Sequence, residues 1–143
     1  MTRPPSIVNF ERCYLGGVLL GWIATALNWK HMQDKVAVQQ TEAMVGAWYM
    51  PTILAISLLV NLLLWYFAAR RGSKVAKWII VVFFVLACFG VAMNMARHDF
   101  PPGLAGVASV AAFVINAIAV WLLFRPDAKA WFGEDAAASE VDG

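Results

Sequence analysis

The residues best suited to chemistry in this sequence are its two histidines, His31 and His98, each preceded by a basic residue (Lys30, Arg97) and followed by an aspartate (Asp34, Asp99). Five of the six methionines, Met32, Met44, Met50, Met93 and Met95, fall toward the same end of the apolar stretches as the two histidines. Imidazole with thioether ligands suits copper, and two axial imidazoles suit haem. The same residues have a simpler use, because His, Lys and Arg close helix ends and Met fills gaps. Neither histidine stands within an apolar run, so a metal or haem site at His31 and His98 is the minor expectation and no cofactor the major one.

Catalytic patterns are absent from the sequence. It has no GxSxG, HExxH, Walker loop or GxGxxG, so nothing local marks hydrolysis, zinc chemistry or nucleotide binding. The two cysteines, Cys13 and Cys88, belong to different depths of the apolar stretches and read as small apolar residues. A non-enzymatic protein is expected.

Asparagines form the more regular pattern. Asn61 precedes Arg70 and Lys74 by nine and thirteen residues, and Asn116 precedes Arg125 and Lys129 by the same intervals, which puts both amides at one depth within reach of each other. Asn28 and Asn94 close the opposite ends of their stretches, ahead of Lys30-His31 and Arg97-His98. Such a set serves as polar glue between helices in lipid, worth roughly 0.6 to 2 kcal/mol per contact. Its functional alternative is a polar track for a small solute or a quinone-like head group. Gly17, Gly21 and Thr25 add a small-residue stripe that permits close helix packing.

These residues must be positioned by four apolar stretches, about 14–29, 51–69, 78–96 and 103–124, free of Asp, Glu, Lys and Arg. A helix rises about 1.5 Å per residue, so about 20 such residues cross a hydrocarbon core ~30 Å thick. Of the 143 residues, 62% are hydrophobic and 14% charged, and the mean hydropathy is +0.67. Continuous apolar runs without alternation select helices. The expected fold is all-α, a four-helix transmembrane bundle over 14–124 with helices about 14–29, 44–69, 78–96 and 103–124. The second helix either starts near Ala43 and kinks at Pro51, the reading adopted here, or begins at Pro51 after a separate surface segment over 36–50. With no charge in the stretches, a proton relay or ion-coupled carrier is not expected.

Orientation follows the basic residues. Arg3, Arg12, Arg70, Arg71, Lys74, Lys77, Arg125 and Lys129 flank one side, and Lys30, Lys35 and Arg97 the other. Both termini should face the cytoplasm, residues 1–13 and 125–143 forming cytoplasmic segments, the latter partly disordered. The net charge of +2 reflects this asymmetry and predicts no nucleic-acid partner. Ala24-Thr25-Ala26 has the small-residue character of a cleavage site, but the apolar run continues through Leu27 and Trp29, which reads as an uncleaved first helix.

The segments RPPSIVNFERCYLGG (Arg3 to Gly17) and LLFRPDAKAWF (Leu122 to Phe132) resemble the chain ends of small uncharacterised four-helix bacterial inner-membrane proteins. The resemblance implies a bacterial inner-membrane location and carries no activity or site residue. Three functions are compatible with these features. The leading one is an accessory, structural or regulatory part of a larger membrane complex, with the bilayer, other membrane proteins or a second copy as partners. The next is a small oligomeric carrier or pore using Asn61 and Asn116. The last is the metal or haem binder at the outer face.

Overall fold

A computed structural model of the protein describes residues 2–134. The described residues are all-helical: α1 (Pro5–Leu27), α2 (Trp29–Gln33), α3 (Val36–Val45), α4 (Tyr49–Trp65), a π turn (Tyr66–Arg70), α5 (Lys74–Ala96), α6 (Gly103–Leu122) and α7 (Pro126–Trp131). Three helical segments are long and apolar enough to cross a membrane: Tyr49–Arg70, Lys74–Ala96 and Gly103–Leu122. The expected disorder of the acidic tail concerns residues 135–143 and lies outside the described residues.

Helix starts differ from the sequence expectation for identifiable reasons. α1 begins at Pro5, well before Tyr14, because proline at the first helical position lacks only an amide that would be unpaired anyway. The charges that interrupt the hydropathy are accommodated within it, Glu11 accepting from Arg3 and, at 3.3 Å, from Arg70. The first helix ends at Leu27, with Trp29 opening the short α2. The second long helix corrects the adopted reading: Met44 and Val45 belong to α3, which stops at Gly46 with φ 111°, a conformation that side-chain-bearing residues rarely adopt. α4 then starts at Tyr49, so Pro51 lies in its first turn and kinks nothing.

The four long helices alternate in direction. Their base gathers the start of α1, the end of α4 with its π turn, the start of α5, the end of α6, and α7; the opposite end, the top, carries α2, α3 and the α5–α6 loop. α1 and α6 pack along one another, whereas the other pairs touch more sparingly. At one level a Cβ added to Gly17 would lie 2.8 Å from Asn116 Oδ1. The buried core sits at the base, where Ile7 and Phe10 meet Leu64, Ala68, Ile80, Leu123, Ala128 and Phe132. Farther up, large apolar side chains such as Leu19, Leu59, Val85 and Phe89 are exposed around the bundle.

α5 ends in a Schellman motif, with His98 N–H donating to Met95 O at 3.1 Å and Asp99 N–H to Asn94 O at 3.0 Å. His98 occupies the left-handed position at φ 54°, where glycine is usual. The base is tied by α7. Ser6 donates to Asp127 through its backbone N–H (3.1 Å) and hydroxyl (2.7 Å), and Trp131 Nε1 donates to Ala68 O in the π turn at 3.3 Å.

Candidate functional site

Midway along the bundle, Tyr14 from α1 donates its hydroxyl proton to Asn61 Oδ1 of α4 at 3.0 Å, and Asn61 Nδ2 donates to Ser57 O at 2.8 Å. Asn116 from α6 stands against Gly17, the absent side chain making its room. Two cavities meet at this asparagine pair. One of ≈160 Å³ faces α5 and is lined by Tyr14, Asn61, Phe83, Phe84, Phe113 and Asn116 among others. The other, ≈240 Å³, lies toward α1 and α4 and is bounded by Gly17, Gly21, Trp22, Thr25, Ser57 and both asparagines. The matched depth expected of Asn61 and Asn116 thus appears as a shared wall. Although within reach of each other by depth, the two do not bond to each other among the described residues: Asn61 is held by Tyr14, while Asn116 makes no side-chain hydrogen bond there.

The small-residue stripe divides in function. Gly17 is a point of close approach, but nothing lies within 4 Å of a Cβ built on Gly21, and Thr25 returns its hydroxyl to Gly21 O at 2.9 Å. Gly21 and Thr25 widen a cavity instead of closing a helix crossing. Asn28 and Asn94 stay at helix ends, Asn28 capping α1 through its backbone N–H and Asn94 contributing its carbonyl to the α5 stop.

At the top, His31 Nε2 lies 3.0 Å from Asp99 Oδ1 and Lys35 Nζ 2.7 Å from Asp99 Oδ2. The Lys35 hydrogen bond, followed by that of His31, holds the Asp99 carboxyl below its ordinary 3.8. His98 lies elsewhere, lining an apolar chamber of ≈570 Å³ between α5 and α6 together with Met95. The two imidazoles therefore have different surroundings. Among the described residues no three or more His, Cys, Asp or Glu side chains gather.

Sequence reasoning missed the base. Lys77 is 1% exposed, its ammonium bonded to Glu134 at 2.8 and 2.9 Å and placed over the rings of Phe124 (4.5 Å) and Phe132 (5.3 Å). Hydrogen bonds from Ser6, hydroxyl first and backbone second, keep the Asp127 carboxyl below its ordinary range. The sequence signal for this latch was the amphipathic DAKAWF piece, whose partners near residue 6 and in the π turn are too distant in the chain to be paired by spacing. Tyr14 was equally hidden as the partner of Asn61, since an aromatic near a membrane boundary is usual.

Comparison of the chain with protein-family models, with curated proteins and with solved structures finds no match. The site must therefore be read from its own chemistry. Its central wall offers neutral donors and acceptors, Tyr14, Asn61 and Asn116, surrounded by aromatic rings and free of carboxylate, ammonium or thiol. The hydrogen-bonding chemistry of such a wall suits a neutral polar group.

Proposed function

We propose that this chain is a non-enzymatic, four-span protein of a bacterial inner membrane, with both termini in the cytoplasm, that binds a small neutral polar molecule or head group between its helices. The carrying observation is the cavity shared by Asn61 and Asn116, with Tyr14 fixing one amide and the other left open. α1 supplies the fourth span, its Glu11 paired with Arg3 and Arg70 near the interface. Topology is supported by eight basic residues at the base against three at the top, and the bacterial location by the resemblance of the chain ends.

Mild-detergent purification followed by solvent extraction and mass spectrometry tests the binding. A neutral compound near one per chain, lost on Asn116→Leu, is the expected result. A ligand-free preparation that takes up nothing from native lipid extract, or uptake indifferent to Asn61→Leu and Asn116→Leu, ends the proposal. If the protein also releases its ligand across the bilayer, liposome flux falls with the same two substitutions, as a carrier requires.

A second reading, an accessory part of a larger membrane complex, is favoured by α5. Only 6% of its most apolar window is buried, and Val82, Val85, Leu86 and Phe89 present a broad aromatic and aliphatic surface. Purification as a lone species, together with a deletion that alters no membrane complex, eliminates this reading.

A further inference from the structure

The Asn61–Asn116 cavity and a second, larger space share one ring, Phe113. Phe84 of α5 and Phe113 of α6 stack with centroids 5.4 Å apart and planes 21° from parallel. Phe113 also borders the ≈570 Å³ chamber between α5 and α6, whose wall includes Val91, Met95, Ser109 and Val110. Met95 is 64% and Val110 48% exposed, so this chamber opens on the outside of the bundle, toward lipid. A head-sized cavity whose mostly aromatic wall carries two amides and one hydroxyl thus shares Phe113 with a tail-sized apolar one.

We infer that the ligand is a quinone-type amphiphile: a planar, neutral ring bearing carbonyl or hydroxyl oxygens in the Asn61–Asn116 cavity, with its hydrocarbon chain in the α5–α6 chamber. This rests on the head-group binding proposed above. Ring size follows from volume, because an apolar cavity of about 150 Å³ holds a benzene and the Asn61–Asn116 cavity measures ≈160 Å³. Ring shape follows from the walls, since Tyr14, Phe83, Phe84 and Phe113 offer aromatic surfaces to a flat guest. Neutrality follows from the lining, whose polar atoms are hydroxyl and amide; a charged head would be desolvated there with no counter-charge. Asn116 can donate to a ring carbonyl or accept from a ring hydroxyl, so it serves either redox form of the guest. Ser109 lies seven residues before Asn116 on α6, about 10 Å along the axis, which a short tail covers. The Phe84–Phe113 pair is the threshold that the chain crosses, one ring turning aside to admit it.

The test uses the full chain in lipid nanodiscs and two probes, a 1,4-benzoquinone without side chain and the same ring with a decyl tail. Binding is read from quenching of the Trp22-dependent emission, defined against Trp22→Phe, because Trp22 lines the cavity adjoining the asparagines. The decyl probe should bind at least tenfold more tightly than the tailless one at equal concentration in the bilayer. Ser109→Phe, or Val110→Trp as a second filling variant, should erase that advantage and leave the tailless probe within twofold, while Asn116→Leu should weaken both about tenfold. A decyl probe no tighter than the tailless ring, or an advantage that survives both filled chambers, overturns the tail assignment and leaves head-group binding standing. Displacement of the decyl probe by dioctanoylglycerol as readily as by the quinone overturns the ring assignment and points to a glycerolipid source. Indifference of both probes to Asn116→Leu overturns head-group binding and the inference with it.

Discussion

Asn116 holds the place that a methyl group on residue 17 would need, so these two positions set the cavity. A Gly17→Ala Cβ would lie 2.8 Å from Asn116 Oδ1 and 3.0 Å from its Cγ, forcing either the amide or the helix to shift. The nearest atoms belong to the flexible end of Asn116, so the cost falls at the low end of the about 1–3 kcal/mol of overpacking, and Gly17→Ala should come out about 1 kcal/mol less stable than Gly21→Ala. Gly21→Ala meets open space, and by replacing a helical glycine it should be neutral or stabilising by about 0.5–1 kcal/mol. Thermal unfolding of the two variants in one detergent checks the contrast; equal effects would contradict it. His98 offers a second single-residue test. Its left-handed φ of 54° suits glycine, and His98→Gly should gain about 1 kcal/mol in the same assay. The sequence displayed both glycines at four-residue spacing and both asparagines at matched intervals, because helix periodicity and span length convert numbering into depth. It did not separate Gly17 from Gly21, since their difference arises from what α6 and α4 place opposite them.

At the scale of the elements, two contacts fasten pieces that the chain keeps far apart. Asp99 in the α5–α6 loop binds His31 of α2 and Lys35 just before α3. Its carboxyl titrates lower in the folded protein than in the unfolded chain, so the stabilisation it brings is complete above its ordinary 3.8 and disappears as pH falls through the lowered folded value. The Asp99 contribution to stability should therefore fall away below about pH 3.8, and Asp99→Asn should remove that part of the pH dependence; profiles of equal slope would refute the linkage. At the base, Glu134→Gln removes the counter-charge of the buried Lys77 ammonium and leaves it an amide oxygen and aromatic faces. The loss should be about 2 kcal/mol, less than the roughly 3–5 of a fully buried pair because Glu134 is 26% exposed. Lys77→Met combined with Glu134→Gln should recover most of it, as a denaturation series on the double variant would show. Element existence was legible in the sequence wherever apolar runs were long. Boundaries were not, because Pro5, Gly46 and Tyr49 act through backbone geometry and Glu11 through ion pairs, none of which a hydropathy window registers.

For the whole molecule, the arrangement of charge makes a topological prediction. A reporter fused after residue 143 should be active in the cytoplasm, and replacing Arg70, Arg71 and Lys74 with glutamine while adding lysines to α3 should yield a mixed orientation. Protease protection in inverted and right-side-out vesicles reads both. The apolar belt was legible at this scale from composition alone, but not that the buried core lies at the base, because its members come from both ends of the chain.

That last feature governs the order of events during synthesis. α1 finds its long partner in α6, and Ser6 waits for Asp127 across 121 residues. At about 5–20 residues per second, some 6–24 s separate the emergence of the two. On the proposed four-span reading, the first helix spends that interval in the insertion machinery or in lipid without its mate, and a ribosome stalled before α6 would leave it unpaired. Nascent chains arrested near residue 100 should be degraded, and those arrested after α7 has emerged should persist.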